Sequence, residues 1–227
     1  MSPMNRSGAE RVLGGVEVSL IVIAKAPVAG KAKTRLIPDL GAAGAAAVAE
    51  ACLLDTLEAV VDTPAARRVL VLEGEPGDWI PGQFEVVPQR EGDLDVSLAG
   101  AFEDSGAAPA LLVGMDTPQV TPQLLVRCVA ALETGAHDAV IGGAPDGGYW
   151  AIGLRESDPR VFEGVPMSED DTGERQRERL RELGLSFAEL PEVRDVDTID
   201  SLRAVAAEAP ETRCARALAR LEGVVAQ

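Results

Sequence analysis

The stretch that most constrains the fold is Val18 to Leu36, VSLIVIAKAPVAGKAKTRL. Val18 to Ala24 is a run of mostly β-branched and apolar residues without polar alternation. Such a run suits a strand buried on both faces. The chemistry then changes abruptly, because Lys25, Lys31, Lys33 and Arg35 follow within 11 residues, spaced by Pro27 and Gly30. A strand that ends in a Gly-containing loop with convergent cations can hold a phosphorylated ligand. Glycine permits close backbone approach, amide N–H groups face the anion, and Lys and Arg neutralise it. The competing reading is a solvated basic loop. The candidate phosphate-binding set is Ala24, Lys25, Pro27, Gly30, Lys31, Lys33 and Arg35.

That patch stands out because the chain is acidic, with 37 Asp and Glu against 21 Lys and Arg and a net charge of −16. Nucleic-acid phosphates would be repelled by such a surface, which argues against a nucleic-acid partner. The 227 residues suffice for a substantial core. Aromatics are only 3%, so that core is built from small and branched aliphatics. Cys52, Cys128 and Cys214 lack CxxC spacing and read as buried small hydrophobes rather than a disulfide or zinc framework. The single His137 cannot make a His-based metal site. The N-terminus has no apolar signal-peptide core, and no stretch reads as long enough to span a bilayer, so the expectation is a cytoplasmic protein without a membrane partner.

In chain order, residues 1 to about 15 read as a disordered tail. The first strand and the cationic loop come next, then an Ala-rich helix from Gly41 to Val61. Strands follow at Arg68–Glu73 and Phe84–Val87, and a polar loop, QREGDLD, leads into a helix through Phe102. Ala110–Gly114 reads as a strand, and Thr121–Glu133 as a helix with Thr121 as N-cap and Pro122 at its first position. Strands at Asp138–Ile141 and Tyr149–Leu154 flank a polar loop. A helix over Asp171–Leu183 carries a capping box from Asp171 to Glu174. Ser186–Leu190 reads as the last strand, and one or two helices run from Ile199 to Leu221. Strands alternating with helices mean an α/β domain with a mostly parallel sheet flanked by helices, occupying residues 16–227 as one unit. Ligands of such folds bind beyond the carboxyl ends of the strands.

Four further loops fall at such ends. GMDTP places Asp116 beyond the strand ALLVG, where it either binds a divalent cation that bridges phosphates or serves as a turn residue before Pro118. RDVDTID carries Asp195 and Asp197, two apart in an extended segment and so pointing the same way; they present paired oxygens to a metal, or Asp197 or Thr198 caps the next helix. APDGGYW carries Asp146, Gly147 and Gly148, where glycines admit a substrate or form a type I′ hairpin turn. QREGDL carries Gln89, Gly92 and Asp93, within reach of a base or ribose.

The set KAPVAGKAKTRL, GMDTP, PDGGYW and RDVDTIDSL, in that order, resembles the bacterial DUF2064 family of glycosyltransferase-like proteins, which includes arsenosugar-biosynthesis-type transferases. The resemblance covers roughly residues 18 to 205. That family is similar to the GT-A, nucleotide-diphospho-sugar transferase superfamily, which also contains nucleotidyltransferases such as 2-phospho-lactate guanylyltransferase with its KTRL-like loop. The resemblance implies a single-domain Rossmann-like GT-A fold, with a nucleotide at the end of the first strand and Lys25, Lys33 and Arg35 near its phosphates. It implies that Asp116 binds Mg²⁺ or Mn²⁺ with Asp195 or Asp197 as second carboxylate, and that Asp146 and Tyr149 line the acceptor side with Gly147 and Gly148. Two departures stand out: Thr117 and Pro118 replace the rest of an Asp-x-Asp motif, and Asp95 and Ser97 stand where the family has Gly and Arg.

Three functional readings follow. In the first, a metal-dependent glycosyltransferase uses a nucleotide-diphosphate sugar, with Asp116 and Asp146 as catalytic residues and Asp146 as base on an acceptor hydroxyl. In the alternative, a nucleotidyltransferase grips an NTP while a phosphorylated or carboxylated small-molecule acceptor attacks the α-phosphate. The third is a non-catalytic nucleotide-binding module. A sheet edge or an apolar helix face could support a homodimer.

Overall fold

The computed structural model describes residues 17–106 and 109–225; the expected N-terminal tail lies outside them. The run after Val18 forms β1 (Ser19–Lys25), followed by a single 3-10 turn at Thr34–Leu36 and α1 (Ile37–Val61), which kinks at Gly41. The order continues β2 (Arg67–Glu73), β3 (Glu85–Pro88), α2 (Leu94–Asp104), β4 (Ala110–Gly114), α3 (Pro122–Glu133), β5 (Ala139–Gly143), β6 (Tyr149–Leu154), α4 (Thr172–Glu182), β7 (Phe187–Leu190), α5 (Ile199–Glu208) and α6 (Arg213–Val225).

The strands make one seven-stranded sheet in the order β3-β2-β1-β4-β6-β5-β7. All pairings are parallel except those of β6 with β4 and β5. As the β1 sequence requires, alternate residues face two different cores. Leu20, Val22 and Ala24 pack with Leu53, Leu57 and Val60 of α1 and Leu125 and Leu132 of α3. Ile21, with Val69, Val71 and Leu112, faces Phe102 of α2, Leu180 of α4 and Phe162 from the loop before α4. Each fully buried aliphatic contributes roughly 1.5–3 kcal/mol by transfer from water. A third layer lies outside α1, where α5 and α6 bury Leu202, Val205, Cys214 and Leu218 against Leu36, Val48 and Cys52.

Two sequence expectations need correction here, and one holds. The stretch 34–61 is long and apolar enough to cross a membrane by length and composition, but it is the sheet's main covering helix and more than half of its apolar window is buried. The cysteines are buried free thiols, as expected, with the Cys52 and Cys214 sulfurs 3.4 Å apart between α1 and α6. Asp171 precedes α4 without capping it; its carboxylate pairs instead with Arg175 at 2.7 Å, because a guanidinium one turn on competes for the same oxygens.

Candidate active site

Because β6 runs opposite to its neighbours, the β5–β6 hairpin loop opens on the same edge as the ends of β1, β2, β3, β4 and β7. Every candidate loop therefore reaches one rim. Past β1, Ala26 N–H donates to Glu73 O at 2.8 Å, and Lys31 and Ala32 N–H donate back to Val28 O, closing a turn in which Gly30 has φ +81°. That turn delivers Lys33 in a left-handed conformation, φ 48° and ψ 46°. Such a backbone is costly for a residue with a Cβ and recurs at functional sites.

The Lys33 side chain is only 5% exposed and its ammonium lies 2.6 Å from Asp116 Oδ1. The contact is an ion pair outside hydrogen-bond angles, since Oδ1 has no hydrogen-bond partner. The ammonium also donates to the Val196 carbonyl. Burial is the largest single influence and pulls the lysine pKa down, but Asp116, Cys52 and Asp197 together outweigh it and hold the pKa above the usual lysine value. Lys25 pairs with Glu73 at 3.0 Å, and Arg35 pairs with Asp197.

Segment 191–198 is pinned along its length. Trp150 Nε1 donates to Pro191 O at 2.9 Å, Val193 N–H to Gly143 O at 3.1 Å, Gln119 Nε2 to Arg194 O at 2.5 Å, and Val196 N–H to Asp116 O at 2.8 Å. Asp195 and Asp197 sit in different surroundings. Asp197 is taken by Arg35, while Asp195 is half-buried, and burial, then the nearby Asp146 charge, push its carboxyl above the usual range against the pull of Lys33. The capping role falls to Thr198, whose side chain accepts from Ser201 N–H in a capping box on α5.

Asp146 is exposed and accepts Gly148 N–H at 2.9 Å. The hairpin is present, but only Gly147, at φ +91°, has positive φ, and Gly147 N–H donates to Ala144 O. That is not the type I′ turn, which needs two consecutive left-handed residues. Tyr149 donates its hydroxyl to Gln176 Oε1 at 3.3 Å and lies near Met167, and burial raises its pKa. Gln89 spends its amide on Ala24 O at 2.8 Å, tying the end of β1 to the loop after β3. Gly92 has φ +135°, and Asp93 stands at the N-cap of α2 without taking a cap hydrogen bond.

Two cavities result. One, of about 420 Å³, is lined by Lys25, Lys31, Lys33, Arg35, Asp116 and Asp197, together with Thr34, Met115 and Ser168. The other, of about 400 Å³, is lined by Asp93, Leu94, Asp95, Val165, Met167 and again Ser168. Gly147, Gly148, Tyr149 and Asp146 line neither. Among the described residues no group of three acids, cysteines or histidines is gathered closely enough to hold a metal by itself.

The family description DUF2064, an uncharacterized protein conserved in bacteria, matches residues 56–169, half of the chain. The chain belongs to the DUF2064 family. Over 218 residues it is 34% identical to the phosphoenolpyruvate guanylyltransferase of Streptosporangium roseum, covering 90% of this chain and 92% of that one. It is 31% identical over 185 residues to the phosphoenolpyruvate guanylyltransferase of Conexibacter woesei, covering 77% and 81%. A crystal structure from Desulfovibrio desulfuricans G20, of a protein provisionally named a nucleotide-diphospho-sugar transferase, superposes with TM-score 0.83 at 26% identity, covering 93% of this chain and 97% of that one.

In this DUF2064 protein the structure adds Ser168 to the sequence candidates. Among the described residues it is, with Lys33, one of two non-glycine residues with positive φ, at 65°, and the one residue that both cavities share. Nothing in the sequence marks it, because a serine before an acidic run has no left-handed preference. The lacing of segment 191–198 was equally hidden, since the segment contributes only backbone groups to it.

Proposed function

We propose that the chain is a divalent-cation-dependent nucleotidyltransferase that moves a guanylyl group from GTP to a small phosphorylated, carboxylated acceptor of the phosphoenolpyruvate type. The reading rests on one observation above others: four cations and Asp116 line a single cavity. Four cations suit a triphosphate together with an anionic acceptor better than a diphosphate alone. The likeness to two phosphoenolpyruvate guanylyltransferases over most of their length favours this reading over glycosyl transfer, which ranked first on sequence.

In this mechanism an acceptor phosphate oxygen attacks the α-phosphorus of GTP. The new O–P bond forms as the bond to the β-phosphate oxygen breaks, and pyrophosphate leaves. Lys31 and Arg35, both exposed at the cavity, bind the leaving phosphates; Lys33 stays beside Asp116. An ionised phosphate oxygen carries no proton that must be removed, so the reaction needs no general base. That agrees with an Asp146 carboxylate occupied by a backbone N–H. Asp116 and Asp195 would hold Mg²⁺ or Mn²⁺. Two carboxylates are a fitting donor set, because Mg²⁺ is bound through one or two carboxylates plus substrate phosphates. When bound, the ion neutralises charge developing on the phosphates.

The test is pyrophosphate release with GTP, phosphoenolpyruvate and Mg²⁺, against sugar transfer from UDP- and GDP-sugars. The expected result is release that requires both substrates and falls at least about 100-fold in Asp116→Asn, a few kcal/mol of transition-state charge stabilisation, with the melting temperature retained. Sugar transfer without pyrophosphate release would overturn the reading.

A further inference from the structure

The second cavity differs in chemistry from the first, although the two meet at Ser168. The first is lined by four cations. The second has no cation in its lining but has two carboxylates, Asp93 and Asp95, with an apolar wall of Leu94, Val165 and Met167. Leu94 is 41% exposed at the first position of α2, so a large apolar side chain faces solvent where a planar ring could cover it. Asp93 holds an N-cap backbone position but leaves its side chain out of the cap. One oxygen of Asp95 accepts Val96 N–H at 2.8 Å, leaving the other available.

We propose that this cavity receives the nucleobase and that Asp93 and Asp95 select guanine. The inference rests on the nucleotidyl-transfer reading and adds which base is read, and by which side chains. Charge decides the assignment of groups to cavities. Phosphates and an anionic acceptor are repelled by the carboxylates and drawn to the cations, so a neutral part of the substrate occupies the second cavity. A volume of about 400 Å³ lies within the range of small-ligand pockets. Ionised carboxylates only accept hydrogen bonds, so they favour an edge with adjacent donors. Guanine presents N1–H beside its exocyclic amino group. Uracil presents one N–H between two carbonyls, while adenine and cytosine place an acceptor nitrogen beside their amino groups, and each of these arrangements brings a lone pair against an anion. A site built for donors rejects analogues lacking them by large factors, because its own polar groups are left unpaired. The base would stack on Leu94, and the ribose would pass Ser168.

The test exploits xanthine, which keeps N1–H but replaces the amino group by a carbonyl. An Asn at the reading position accepts from N1–H and donates to that carbonyl. Relative kcat/KM for GTP, XTP, ITP and ATP is measured in the native protein and in Asp93→Asn and Asp95→Asn, with melting temperatures as a folding control. The native protein is expected to prefer GTP over XTP, ITP and ATP. At least one variant is expected to move the GTP-to-XTP ratio about 100-fold or more towards XTP, the loss of one well-placed charged hydrogen bond and its replacement. A ratio unmoved in both folded variants overturns the inference and leaves guanylyl transfer standing. If no nucleotide supports transfer, the functional proposal fails separately; calorimetric binding of GDP against XDP to the three proteins then decides, an unchanged preference again overturning the inference.

Discussion

Asp195 and Lys33 are held at this rim against their own preferences. Lys33 takes a left-handed backbone and a nearly closed environment to set a cation against Asp116. Asp195 is half-buried near Asp146 and Asp116, and its carboxyl is pushed above the usual range, first by burial and then by Asp146. A carboxyl whose folded pKa is raised binds its proton more tightly in the fold than in the unfolded chain. Its ionisation therefore subtracts stability as the pH rises from the ordinary carboxylate value through the raised one. Asp195→Asn has no such penalty. In metal-free protein the variant should melt above the native chain at pH 7, and the gap should close as the pH falls below the raised value. Its turnover should drop at least about 100-fold if the residue helps hold the cation. A variant that melts lower at pH 7 while remaining folded would show that Asp195 is a structural residue rather than one placed at a stability cost for function.

At the scale of elements, the strands were the most legible part of the sequence. VSLIVIA and ALLVG have no polar alternation, and both became central strands buried on two faces. Helix starts followed their chemistry where one residue could act alone, as at Thr121, whose side chain accepts from Leu124 N–H at 3.2 Å. They failed where a neighbour competed, as at Asp171. The meeting of GMDTP with the cationic loop was anticipated from the rule that strand ends share a rim, whereas the division of Asp195 from Asp197 depends on Arg35, 162 positions away. The Asp146-Gly147-Gly148 hairpin was visible, but its tie to α4 was not. Gly173 N–H donates to Gly147 O at 2.8 Å. A Cβ on Gly147 would lie 1.7 Å from the Asp170 carbonyl oxygen, with φ already at +91°. Gly147→Ala must therefore displace the 168–171 segment that includes Ser168. Strain of this kind costs roughly 1–3 kcal/mol before the clash is counted, so a fall in melting temperature of about 2–12 °C is expected for a chain of this size, with reduced turnover. Gly82→Ala, where nothing lies within 4 Å, is the control. Equal melting temperatures for the two variants would mean that the hairpin and α4 are not coupled as described.

Across the whole molecule, the third layer decides whether the charged loops hold their places. Leu36 follows Arg35 directly and is fully buried with Val196, which stands between Asp195 and Asp197, and with Cys214 of α6. Both charged loops thus rest on the same packing, and α6 seals it. What fastens α6 is a carboxylate from α1. Asp55, its side chain 7% exposed, accepts the N–H groups of Arg213 and Cys214 at 3.0 Å each and pairs with the Arg213 guanidinium at 3.2 Å. Thr212 Oγ1 accepts the next N–H, from Ala215. The first amides of α6, which have no partner within the helix, are therefore satisfied from two places, one of them remote in sequence. Asp55→Ala strips two of them and leaves the buried Cys214 N–H without a partner, at about 1–3 kcal/mol for each unsatisfied group. The expected loss is roughly 2–4 kcal/mol in urea denaturation. If the third layer positions the rim, the loss should not stay in α6. Hydrogen exchange should quicken at Leu36 and Val196 as well as along α6, and the KM for GTP should rise more than kcat falls, because the cationic loop has loosened while Asp116 remains on β4's end. Faster exchange confined to residues 213–225, with KM unchanged, would instead make α6 a cover that the site does not need.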